Sequence, residues 1–335
     1  MLKKSAKKKL CLFLSALFVC LALCSCTWQD GMDDSYAVFN TTDAYFTYEP
    51  DAVNASEDTI PLFAENLCVG GLVNSTDSLA TGDNAATEAV FTLDDGEVAF
   101  AKNIYERRYP ASTTKILTCY LALKYGDPDQ VITVSDNAID SLEPGGSLAN
   151  LAAGYQLTLR DALYGLMLAS GNDAANAIAE AVAGSIPAFV DLMNSEAKAL
   201  GCTQSHFTNV HGMPDDEHYT TAYDLYLIFQ EAIQIPEFVE IISTDRYTGT
   251  ITSADGYTIL EDWENTNGYL TGEFEVPEGV RVIGGKTGTT DAAGACLVLY
   301  SENASGAPVV SIVLDATDHD ALYECMTELL PVFAN

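Results

Sequence analysis

The sequence predicts an α/β domain of the α+β type: one antiparallel β-sheet flanked by helices, plus an all-helical lobe. Strand-like segments stand at both ends of the region after residue 60, and helix-like segments with clear start signals fill its middle. There is no internal repeat and no glycine-rich phosphate loop. Residues 60–335 are close to the upper limit for a single core, so one domain with two lobes is expected there.

The elements follow in order. EAVFTL (88–93) and EVAFAK (97–102) flank Asp94-Asp95-Gly96, a β-hairpin signal. The apolar run Ile116 to Leu123 reads as a buried helix. Thr158 to Asp161 resembles a capping box opening a helix to about Ala169. Pro187 near a start and Gly201 past an end bracket another helix, with Phe189, Met193, Ala197 and Leu200 on one face. Thr221 to Asp224 repeats the capping pattern before a helix that stops ahead of Pro236. VRVIG (280–284), ACLVLY (295–300) and PVVSIVLD (308–315) read as strands, and a helix from about Asp320 to Phe333 closes the chain.

The N-terminus predicts export. Lys3, Lys4, Lys7, Lys8 and Lys9 precede an apolar run from Leu10 to Leu23, too short to span a bilayer, which needs ~20 residues. Leu23-Cys24-Ser25-Cys26 resembles a bacterial lipobox, so residues 1–25 are expected to be a signal peptide and Cys26 to carry lipid. Ordinary signal cleavage is the alternative. Residues 26–59 are acidic, without sustained period, and read as a flexible tether.

Without the signal lysines, 10 Lys and Arg stand against 48 Asp and Glu, a formal charge of −38. No basic residue lies between Cys26 and Lys102, so a nucleic-acid partner is excluded. Five cysteines remain beyond Cys26 (68, 119, 202, 296, 325), with no CxxC pair that would suggest zinc or redox chemistry. Cys119, Cys296 and Cys325 lie in apolar runs and read as small buried hydrophobes.

Three short segments carry chemistry. In PASTTKILT (110–118), Ser112 and Lys115 sit three residues apart and share a helix face. A serine is a weak nucleophile without a neighbouring base, and lysine serves as one only when its pKa is lowered. The apolar residues after Lys115 favour its burial. Pro110 suits a helix start, where free backbone N–H groups favour an oxyanion. A capped helix with an exposed lysine is the plain alternative. Ser170-Gly171-Asn172 interrupts a helical pattern and reads either as a turn or as polar groups presented to a cleft. Lys286-Thr287-Gly288-Thr289-Thr290 follows VRVIGG, whose glycine pair suits close approach of a ligand backbone, or is an edge strand guarded by lysine.

The order S-x-x-K, S-x-N, K-T-G is that of the serine penicillin-recognising enzymes. ERRYPASTTKILT, LMLASGNDAANAIAE, NVHGMPDDEHYTTAYDLYLI and VIGGKTGTTDAAG further resemble successive blocks of the D-alanyl-D-alanine carboxypeptidases of peptidase family S11. The resemblance covers roughly residues 60 to 333 and implies a β-lactamase/transpeptidase-like fold. It implies Ser112 as nucleophile on the bond between the two D-alanines ending a peptidoglycan stem peptide, with Lys115 as general base. Ser170 would pass a proton to the leaving amine, and Asn172 would hold the substrate backbone. Lys286 and Thr287 would bind the terminal carboxylate. Gly288 completes that motif, and the N–H groups of Ser112 and Thr289 would form the oxyanion hole. β-Lactam antibiotics are then expected as covalent inhibitors, and no cofactor is implied.

Members of this family often carry a second β-rich domain and a C-terminal amphipathic helix, whereas this sequence ends at Asn335. Membrane attachment is therefore expected through the N-terminal lipid. SGN in place of SDN, and no E-x-x-L-N segment, set the chain apart from class A β-lactamases. His206, His211 and His218 lie beside Asp215, Asp216 and Glu217, but match no H-E-x-x-H zinc signature. No metal site is expected there. A penicillin-binding sensor or scaffold without catalysis is the non-enzymatic alternative.

Overall fold

The computed structural model describes residues 67–69 and 84–333. The signal (1–25), the lipid site at Cys26 and the tether (26–59) lie outside the described residues.

Strands β1 (Ala85–Thr92) and β2 (Glu97–Lys102) form the expected hairpin. A 3₁₀ turn (Ala111–Thr114) leads into α1 (Lys115–Tyr125), whose residues Lys115 to Ala122 are all buried. A helix apolar all round belongs in the centre of a fold, and α1 packs against the helices that follow. These begin after β3 (Val131–Thr133), α2 (Asp136–Asp140) and β4 (Gln156–Thr158). They are α3 (Leu159–Met167), α4 (Asn172–Ala183), α5 (Ile186–Ala199), α6 (Ala222–Ala232) and α7 (Pro236–Ser243).

Thr158, Ser185 and Thr221 cap α3, α5 and α6 by accepting a backbone N–H three residues on. Gly201, just past α5, has φ +87°, a conformation that glycine adopts at little cost. Then come β5 (Arg246–Thr252), β6 (Thr258–Glu264) and the short α8 (Gly268–Thr271). The chain finishes with β7 (Val280–Thr290), β8 (Gly294–Asn303), β9 (Pro308–Ala316) and α9 (His319–Leu329), which runs on into a 3₁₀ turn at Leu330–Phe333.

The main sheet is antiparallel, in the order β2-β1-β9-β8-β7. β9 and β8 are buried on both faces because the helical lobe covers one and α9 the other. The α+β architecture is as expected, with one correction. The second lobe is not all-helical: a second antiparallel sheet, β3-β4-β5-β6, is attached to it. β3 and β4 are three residues each, too short to show a period of two in the sequence.

Candidate active site

The Ser112 turn lies between α1 and the outer strand β7. Ser112 is in the 3₁₀ turn rather than in α1 itself, and Ala111 before it has φ +47°. A non-glycine residue held in that region carries local strain, which the surrounding contacts fix in place. Two backbones press on this turn. A Cβ on Gly288 would stand 2.7 Å from Ser112 N. One on Gly212, at φ +93°, would overlap Ala111 O at 1.8 Å. The segment bearing Gly212 is tied to α1 by Thr118, whose hydroxyl donates to Val210 O at 2.7 Å.

Lys115 is fully buried. Its Nζ lies 2.9 Å from Ser112 Oγ, 2.8 Å from Asn172 Oδ1 and 2.8 Å from His211 O. Burial holds its pKa well below the ordinary lysine value, the Lys286 ammonium adds to that, and Asp173 opposes it. A neutral amine has two N–H donors and one lone pair. The two carbonyl-type oxygens take the two donors, which leaves the lone pair for the Ser112 hydroxyl. This geometry sets up a base.

Asp173 is buried and accepts from Ala149 N and Leu151 N, each at 2.8 Å. It thereby fixes the loop before β4 beside Asn172, where Asn172 N donates to Ser147 O at 2.8 Å. Trp263 of β6 donates to Ala149 O at 3.1 Å, so the added sheet braces the same loop. Ser170 is buried with φ +57°, and its hydroxyl makes no hydrogen bond to Lys286 among the described residues.

Lys286 is buried, and its Nζ donates to Thr287 O at 3.0 Å. Burial lowers its pKa from 10.5 to about 7. Thr287 Oγ1 lies 2.5 Å from Thr266 Oγ1, just beyond β6. Thr289 is exposed and, with Ser112, Ser147, Asn172, Met213 and Asp291, lines a groove of about 350 Å³.

One reading needs correction. What approaches Gly284 and Gly285 is protein: Cβ atoms there would meet Ile242 O and Val298 O, each at 2.2 Å. The glycine of this strand that faces the turn of Ser112 is Gly288.

Three histidines have separate structural tasks. His218 accepts from Thr208 N through Nδ1 at 3.0 Å, so its Nε2–H points to Thr114 Oγ1 at 2.9 Å. His211 gives its carbonyl to Lys115, and Met213 N donates to its ring. Burial pushes the two rings to about 4 and about 3, so both are neutral. His206 bonds Glu217 O through Nδ1 at 2.6 Å. Among the described residues no three His, Cys, Asp or Glu side chains form a metal-holding group.

Lys286 carries a stability cost that can be measured. The unfolded chain binds its proton up to about 10.5 and the folded chain only up to about 7, so stability rises with pH across that window. Lys286→Met is therefore expected to melt at a higher temperature than the natural chain at pH 6.5, with the gap closing toward pH 10. Melting curves at both pH values check this. A gap that widens with pH contradicts it.

Comparison with known proteins fits the site. Residues 75–318 match the family model described as Peptidase_S11, D-alanyl-D-alanine carboxypeptidase. D-alanyl-D-alanine carboxypeptidase DacA of Haemophilus influenzae is 31% identical over 237 residues, 69% of this chain and 56% of the relative. The D-alanyl-D-alanine carboxypeptidase of Streptomyces sp. K15 is 31% identical over 245 residues, 70% of this chain and 82% of that one. The crystal structure of the Streptomyces K15 DD-transpeptidase aligns with TM-score 0.68 at 30% identity, covering 74% of this chain and 96% of that one. The chain spans about half the length of several curated relatives it matches, DacA among them.

Proposed function

The chain belongs to peptidase family S11, and from that premise we propose that it is a serine-type D-alanyl-D-alanine carboxypeptidase acting on peptidoglycan stem peptides outside the cytoplasm. Ser112 Oγ attacks the carbonyl carbon between the two terminal D-alanines while its proton moves to Lys115 Nζ. The C–N bond then breaks as the proton on Lys115 passes through Ser170 to the departing D-alanine amine, which leaves Lys115 neutral again. Water attacks the resulting ester, giving its proton to Lys115, which returns it to Ser112 Oγ as the ester C–O bond breaks and the shortened peptide leaves as a carboxylate.

Lys286 and Thr287 hold the terminal carboxylate, the N–H groups of Ser112 and Thr289 receive the oxyanion, and Asn172 holds the peptide backbone. The position of Lys115 Nζ, buried and within 3 Å of Ser112 Oγ, carries this reading. Lipid on Cys26 is the proposed means of membrane attachment, supported by the basic and apolar leader and the cysteine that ends it.

The test is release of D-alanine from a pentapeptide ending in D-Ala-D-Ala. Release blocked by penicillin and insensitive to EDTA is expected. Release abolished by EDTA and indifferent to penicillin contradicts the serine mechanism.

A further inference from the structure

We infer that a second cavity beside the catalytic groove is a subsite for a zwitterionic segment of the donor peptide, N-terminal to the bond that is cut. The inference rests on the carboxypeptidase reading above. The cavity holds about 460 Å³ and is bounded by Arg107, Tyr109, Asp216, Glu217, Tyr219 and the Ala292–Ala293 turn, with the ion-paired Arg108 and Asp315 completing its wall. The same three chain segments border the groove. Tyr109 stands just before Ser112, Asp216 and Glu217 follow Met213 and Pro214, and Ala292 follows Asp291.

Direction follows from the proposed binding mode. The terminal carboxylate sits at Lys286 and Thr287, and the scissile carbonyl at Thr289. Along the edge of β7, the N-terminal side of the peptide therefore continues past Thr289 toward Thr290 and the turn after it. An extended peptide advances ~3.3 Å per residue, so its second and third residues upstream of the cut arrive where the cavity begins.

The cavity is charged in a specific way. Arg107 Nε donates to Gln204 Oε1 at 3.1 Å, and its guanidinium lies 4.2 Å over the Tyr219 ring. Arg107 is exposed, and these contacts orient its guanidinium, while neither Nη atom has a hydrogen-bond partner among the described residues. Arg108 is already occupied by Glu106 at 2.6 Å and has Asp315 at 3.8 Å. Asp216 and Glu217 are exposed, and their carboxylates form no ion pair among the described residues.

One oriented guanidinium and two unpaired carboxylates suit a peptide that bears both a free carboxylate and a free ammonium. The carboxylate meets Arg107 in its fork geometry, and the ammonium meets Asp216 and Glu217. A peptide with neutral side chains leaves all three unmatched.

Two synthetic peptides ending in D-Ala-D-Ala test this. One carries a free side-chain ammonium on the residue before the D-alanines and a free carboxylate on the residue before that. The other has both groups blocked. The natural chain is expected to favour the charged peptide about five- to tenfold in kcat/KM, and the preference to vanish near ~0.5 M salt. It is also expected to vanish in Arg107→Gln/Asp216→Asn/Glu217→Gln. The same preference is expected in calorimetric binding to the Ser112→Ala protein.

No preference in the natural chain, or one that survives the triple substitution, overturns the subsite. Equal cleavage of both peptides defeats the subsite and leaves the carboxypeptidase reading intact. Charge-dependent binding without cleavage of either peptide defeats that reading and supports the subsite.

Discussion

Replacing Ser112 or Lys115 by alanine is expected to lower kcat/KM for D-alanine release by about 10⁴-fold or more, because nucleophile and base act as one unit. The two losses are not additive, and the double variant falls no further than the lower single one. Charge alone does not explain Lys115. Lys115→Arg keeps a cation, cannot lose its proton near neutrality, and is expected to fail as badly as alanine. A base that must be neutral also gives an acid limb: activity falls as pH drops and Lys115 takes up a proton. The alkaline limb comes from Lys286, whose pKa of about 7 in the free protein means that its charge for the substrate carboxylate fades above that value. Lys286→Arg keeps its charge, so the limb in kcat/KM moves up in pH. Substantial D-alanine release by Lys115→Arg contradicts the role given to Lys115.

Gly212→Ala is expected to reduce acylation by about 10²-fold or more without touching any reacting side chain. At φ +93° an alanine is strained by ~1–2 kcal/mol. The larger effect is steric. The new Cβ would sit 1.8 Å from Ala111 O, a backbone atom that cannot rotate away, so the Ser112 turn has to shift. The rate of covalent penicillin labelling reports this loss, and a melting curve separates it from unfolding. Labelling at the natural rate in a folded Gly212→Ala protein contradicts the packing account.

Much of the site was legible because its parts are local. Ser112 and Lys115 meet across a single turn, so their spacing allows the contact, and the order of the three motifs separates it from an ordinary capped helix with an exposed lysine. Asn172 joins them from a segment whose turn residues break a helical pattern. The long strands and capped helices were legible for the same reason, since period and cap signals lie within a few residues. Contributions from distant backbone left no such trace.

The His211 carbonyl that completes the Lys115 environment comes from 96 residues away, and any residue type could supply it. Asp173 directly follows the SGN motif, yet nothing local shows that its carboxylate is buried against Ala149 and Leu151. Thr113 and Thr114 carry no signal of their own in the sequence. Yet Thr113 Oγ1 donates to Pro110 O at 2.7 Å, and Thr114 receives the His218 bond. The small sheet left little trace because two of its strands are only three residues long, and the other two, β5 and β6, bury only Gly249, Ile251 and Trp263. It nevertheless supports the site through Trp263, and through Thr266 just beyond its last strand.

Ser112, activated by buried Lys115, is the residue proposed to form the acyl-enzyme. Intact-mass measurement after incubation with penicillin, followed by peptide mapping, tests this role most directly. One adduct per chain is expected, located on Ser112, absent from Ser112→Ala and strongly slowed in Lys115→Ala. An adduct on another residue, or one formed at full rate by Ser112→Ala, would contradict it.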